Sequence, residues 1–115
     1  EGTWTPSTGQ GAPQTIHGAH YVKSGDMVMV QTYINMPSSS SSALIQITNL
    51  PYTVTGASHY SIGAAYNAAT ANNHTFVQTN PGQASINVYQ GVGSSVTYAS
   101  LSGNYLLFTV VYRSS

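Results

Sequence analysis

The sequence predicts an all-β fold, an antiparallel sandwich or barrel built as one domain, and three observations carry that expectation. Short runs alternate β-branched and aromatic residues, turn residues recur between them about every 8 to 12 positions, and no helical period persists for three turns. At 115 residues the chain suits a single domain over 1–115, long enough for one core and too short for two.

The elements follow in order. Met27 to Met36 is the clearest strand, with Val28, Val30, Thr32, Ile34 and Met36 on one face and Met27, Met29, Gln31 and Tyr33 on the other. Ala19 to Lys23 precedes it as a hairpin partner, joined through Ser24-Gly25-Asp26, where glycine takes positive φ at little steric cost. The Ser38 to Ser42 run reads as a flexible loop tip before a strand over Ala43 to Leu50, which Pro51 ends because it cannot donate to a ladder. Tyr52 to Thr55 resumes an extended path. Tyr60 to Tyr66 follows, interrupted by Gly63, then Thr75 to Gln78, the Asn80-Pro81-Gly82 turn and Ser85 to Tyr89. A loop over Gly91 to Ser95, a strand over Val96 to Ala99, and the Ser102-Gly103-Asn104 turn lead to the terminal strand, Tyr105 to Tyr112.

Composition narrows function. Charged residues make up 3% of the chain, against about 25% in ordinary soluble domains. Lys23 and Arg113 are the cations, Glu1 and Asp26 the carboxylates, and the net charge is zero. Two cations cannot displace the counterions of a phosphate backbone, so nucleic-acid binding is excluded. No stretch approaches the roughly 20 apolar residues of a membrane-spanning helix, and no membrane insertion is expected. Without cysteine there is neither disulfide nor thiolate metal site. The nine tyrosines, set beside β-branched residues, argue for a packed sheet rather than a disordered polar coil.

Catalytic chemistry finds few candidates. A glycosidase needs two carboxylates about 5 to 9.5 Å apart. Asp26 reads as a turn former and Glu1 lies at the start of the chain, so no catalytic residue is expected and the chain reads as a non-enzyme. A Ser-His-Asp triad would need the same Asp26, and no G-x-S-x-G elbow is present. His17 and His20, three apart, should point to opposite faces of a strand and make a poor metal pair. No metal or cofactor is expected. Three copies of one His about a threefold axis remain the alternative.

Along Tyr105 to Tyr112, residues Tyr105, Leu107, Thr109 and Val111 point one way and Leu106, Phe108, Val110 and Tyr112 the other, leaving neither face polar. An antiparallel strand with two apolar faces calls for a second buried surface, most simply another copy of the chain. Met27, Met29, Tyr105, Leu107, Phe108 and Val110 are the expected subunit contacts. The alternative is a central strand covered outside by a loop or by the N-terminal segment. For ligand contact, Tyr60, Tyr66, Asn72, Asn73 and His74 combine aromatic faces with amide and imidazole groups, a neutral chemistry that suits an uncharged glycan; the same stretch reads equally as a solvated loop. Trp4 could stack on a sugar but reads better as an anchor for the N-terminal segment. Asn73-His74-Thr75 also matches an N-glycosylation pattern, with little information in so short a match.

Gly2-Thr3-Trp4-Thr5-Pro6, then His20-Tyr21-Val22-Lys23-Ser24-Gly25-Asp26 leading into Val28-Met29-Val30, then Ile45-Gln46-Ile47-Thr48-Asn49-Leu50-Pro51-Tyr52, and a last strand ending in Tyr112 form an ordered set. That set resembles the C-terminal domain of bacteriophage tail fibres and tailspikes over essentially the whole chain. Tyr52 stands where Phe is frequent, and the Ser38 to Ser42 loop looks local to this protein. The resemblance implies a jelly-roll-like β-sandwich assembled as a homotrimer at the tip of a virion fibre or spike, outside the cell, where it registers three chains, contacts bacterial cell-surface polysaccharide, or both. A free-standing bacterial β-sandwich lectin or carbohydrate-binding module is the competing expectation. A depolymerase is a third, kept because upstream parts of such spikes are often enzymes.

Overall fold

The computed structural model describes residues 2–56, 60–67, 75–90, 94–99 and 101–114. Among these it is all-β, with no helix, and its ten strands form one antiparallel sheet. They are β1 (Gly2–Thr3), β2 (Ser7–Thr8), β3 (Thr15–Ser24), β4 (Met27–Asn35), β5 (Gln46–Thr48), β6 (Ile62–Asn67), β7 (Thr75–Thr79), β8 (Ile86–Gln90), β9 (Ser94–Ser95) and β10 (Tyr105–Arg113). The order across the sheet is β1-β3-β4-β10-β6-β7-β8-β5-β2, with β9 beside β8.

The covalent chain forces this sheet to curl. Laid flat, nine strands about 4.8 Å apart would separate the edges β1 and β2 by roughly 38 Å. Only Trp4-Thr5-Pro6 joins those edges, a link that reaches about 14 Å at full extension. The two edges therefore close towards each other around a shared interior. Trp4 sits at that seam, 8% exposed, with its backbone N–H donating to the Ala19 carbonyl at 3.1 Å. It is an anchor, as its place in the sequence suggests, and not an exposed platform.

Alternation builds the interior. Along β4, Val28, Val30, Thr32 and Ile34 are buried while Met27, Met29, Gln31 and Tyr33 are exposed, as the period of two requires. Leu106, Phe108, Val110 and Tyr112 of β10 meet them, and Val77, Ile86, Val88 and Ile47 close the core from the far half of the sheet. Phe108 and Val110, expected at a subunit contact, are thus core residues of the single chain, 3% and 1% exposed. The period explains this: they share parity with Leu106 and Tyr112, and that whole face turns inward. The terminal strand is central, between β4 and β6, but nothing among the described residues buries its outer face, where Tyr105 and Val111 are 39% and 47% exposed and Leu107 is half-buried.

Several local expectations change. β3 runs from Thr15 and pairs with β4 to its end, leaving a two-residue loop of Gly25 and Asp26; Gly25 has φ 59°, at the position where a type II′ turn takes glycine. Gly63 does not interrupt its strand. It pairs with Val77 of β7 and lies directly on the backbone of β10, an approach that only a residue without a side chain permits. The Ala43 to Leu50 strand contracts to Gln46–Thr48, because Asn49 turns left-handed, at φ 67°. Val96 to Ala99 is irregular, though Val96 and Tyr98 still bond to neighbouring backbone. The Ser38 to Ser42 segment is laid against the turn at Leu101–Asn104 instead of projecting. The Ser39 N–H donates to Ser102 Oγ at 2.9 Å, Gln14 Nε2 reaches Ser38 Oγ at 2.7 Å, and the Ser39 and Ser41 hydroxyls each accept the N–H two residues ahead.

Candidate surface site: the outer face of β3, β4, β10 and β6

Register places the outward residues in rows. Val22, Met29 and Val111 form one row across β3, β4 and β10, with Met27 in the row beyond. His20, Gln31, Thr109 and Ala64 form the next, and Gly18, Tyr33, Leu107 and Tyr66 the one after, both extending to β6. The exposed large apolar side chains are almost all on or beside this half of the sheet: Val22, Met27, Met29, Tyr33, Ile62, Tyr66, Tyr105 and Val111 among them. The outward side of β5, β7 and β8 differs. Gln46, Gln78 and Asn87 stand in one row there, and Asn80 bonds to both Ser85 Oγ and Asn87 Oδ1, at 2.9 and 3.2 Å.

Between the rows lies a depression of about 440 Å³, lined chiefly by Gly18, His20, Gln31, Tyr33, Ala64, Tyr66, Leu107 and Thr109. Small side chains lower its floor, and Tyr33, Leu107 and Tyr66 stand in one row along its side. A β-bulge shapes one wall: β3 carries an extra residue between the Ile16 and Gly18 pairs, and that residue is His17. Its ring stacks on Tyr33 with centroids 4.3 Å apart, and its Nε2 bonds to Asn35 Oδ1 at 3.1 Å. Tyr105 meets Tyr33 edge-on at 5.8 Å. The bulge overturns the expectation that His17 and His20 face opposite ways, because one inserted residue restores both to the outer side. Among the described residues no three His, Asp or Glu side chains converge.

Charge stays at the margin. Arg113 Nη2 lies 3.5 Å from Asp26 Oδ2, and both side chains are more than half exposed, a geometry of little energetic worth. Lys23 Nζ donates to the Gly25 carbonyl at 2.6 Å and lies 5.2 Å from the Tyr52 ring centre. Nearby, burial pushes the Tyr112 phenol up to about 12, while its hydroxyl donates to the Tyr52 carbonyl at 2.7 Å. Tyr21 is also raised, first through its hydrogen bond with Tyr52.

Of the expected ligand residues, Tyr66 lines the depression, 49% exposed, and Tyr60 is 59% exposed but lies outside it. Asn72, Asn73 and His74 lie outside the described residues. Of the expected subunit contacts, Met27, Met29, Tyr105 and Leu107 share the outer face. Tyr33, Gln31 and Thr109 are not among the ligand residues expected from the sequence, and His20 enters there only as a metal candidate; their outward parity on strands is the available signal. Compared with protein families, characterised proteins and solved structures, the chain finds no match.

Proposed function

We propose that this chain is a non-catalytic assembly and receptor-contacting domain, a jelly-roll-like sandwich that associates as a homotrimer at the tip of a phage tail fibre or tailspike and meets bacterial surface polysaccharide there. The observation that carries the reading is the concentration of exposed apolar side chains on one face. Val22, Met27, Met29 and Val111 are 39% to 48% exposed in the single chain and adjoin one another by register. Contiguous apolar patches beyond a few hundred Å² are uncommon on monomers, and they mark contact surfaces. The scarcity of charge supports the same reading, since charged side chains are depleted in interface cores. The family resemblance of the opening and hairpin motifs supplies the trimer and the virion location.

Sedimentation of the purified chain tests the assembly. A trimer is expected, and Met29→Asp should give a folded monomer, because Met29 is solvent-accessible in the protomer and a carboxylate there costs only about 1 kcal/mol until a partner buries it. A monomeric parent chain favours the second reading, a free-standing lectin or carbohydrate-binding module, for which the tyrosine-lined depression speaks. Turnover of polysaccharide by this chain would overturn both.

A further inference from the structure

The depression beside the apolar band has a different character, and we propose that it seats a single neutral pyranose unit against the row of Tyr33, Leu107 and Tyr66. This rests on the receptor-contacting half of the reading above and adds its place and its ligand class. Tyr33, Leu107 and Tyr66 stand in one row across β4, β10 and β6 along one side of the depression, so a sugar ring packs beside that row, over His20, Gln31, Thr109 and Ala64. Gly18, Ala64 and Thr109 hold the floor low where longer side chains would fill it.

One wall is set before any ligand arrives. His17 and Tyr105 both touch the Tyr33 ring and neither lines the depression, so they brace the ring from outside it. Asn35 fixes His17 in turn. A ring already held in place spares the ligand the cost of ordering it. The floor offers the hydrogen-bonding groups of His20, Gln31 and Thr109, whose side chains make no hydrogen bond among the described residues; an amide and an imidazole can each donate to or accept from vicinal hydroxyls.

Neutrality follows from the lining. No charged residue borders the depression, and Arg113, four positions from Thr109, is about 14 Å away along β10 and engaged with Asp26. An anionic sugar would lose solvation there with no cation to replace it.

The test is titration of the full chain with the methyl glycosides of glucose, galactose, mannose and N-acetylglucosamine, with methyl glucuronide as the charged comparison, followed by backbone amide resonances. Shifts centred on His20, Gln31, Ala64 and Thr109 are expected from at least one neutral glycoside and not from the glucuronide. Tyr33→Ala and Tyr66→Ala should each weaken binding about five- to tenfold, while the two Tyr→Phe variants retain it. Ala64→Leu, at an exposed position, should block the groove and leave the fold intact. No shift from any neutral glycoside at millimolar concentration, or equal shifts from the glucuronide, overturns the assignment. So does dissociation of the oligomer by Tyr33→Ala, which would make the groove a subunit contact. These outcomes leave the assembly reading untouched, since Met29→Asp reads that separately.

Discussion

Gly63→Ala is the most demanding perturbation of this fold. A methyl built at Gly63 would lie 2.8 Å from Val110 Cβ and 2.9 Å from Val110 Cα, and closer still to the Thr109 carbonyl oxygen. Those atoms belong to a central strand, and Val110 is 1% exposed, so no flexible side chain can swing aside. Relief has to come from separating β6 from β10, which strains the pairs from Ala64↔Thr109 to Asn67↔Leu106. Overpacking of this kind costs about 3 kcal/mol, and the stiffer unfolded chain returns about 0.5 kcal/mol of it. For 115 residues the unfolding entropy is about 0.24 kcal/mol/K, so a net loss of about 2.5 kcal/mol lowers Tm by about 10 °C. Calorimetry on the variant and on Gly18→Ala, where the added methyl meets only His20 Nε2 at an ordinary 3.5 Å, gives the comparison. The control should melt at or slightly above the parent. A Gly63→Ala protein melting within about 2 °C of the parent would refute the close approach of β6 to β10.

Two further outcomes follow from the core. Tyr98→Phe should cost about 1 to 3 kcal/mol in urea denaturation, because the buried hydroxyl accepts from the Gly9 and Gln46 N–H groups and donates to the Gln46 carbonyl, tying the turn after β2 to β5. Alkaline pH should destabilise the protein in a defined window. With Tyr112 raised to about 12 in the folded state against about 10 unfolded, its contribution is complete below pH about 10 and is lost as pH rises to about 12. The loss is about 2 to 3 kcal/mol, and Tyr112→Phe should flatten that part of the stability curve.

The legible part of the site was its parity. Strict alternation put Met27 and Met29 on one face of their strand and Val28, Val30 and Ile34 on the other, and the structure turns the second set inward. Alternation did not say which of two apolar faces of the last strand turns inward, since Leu107 and Phe108 are equally suited to either. Nor did it reveal that Tyr33, from one strand, and Tyr66, from another far along the chain, would stand either side of Leu107.

By itself, then, the sequence determined an all-β, charge-poor domain and the β3–β4 hairpin around Gly25, because these depend on local conformational preference and on side-chain period. Tertiary structure alone decided the rest. The short link between β1 and β2 requires the sheet to curl, and the curl buries the Leu106–Tyr112 face of β10, a long-range closure that no local pattern records. The bulge at His17 inserts one residue against a partner strand, and only that pairing turns His17 onto Tyr33 and braces that side of the groove.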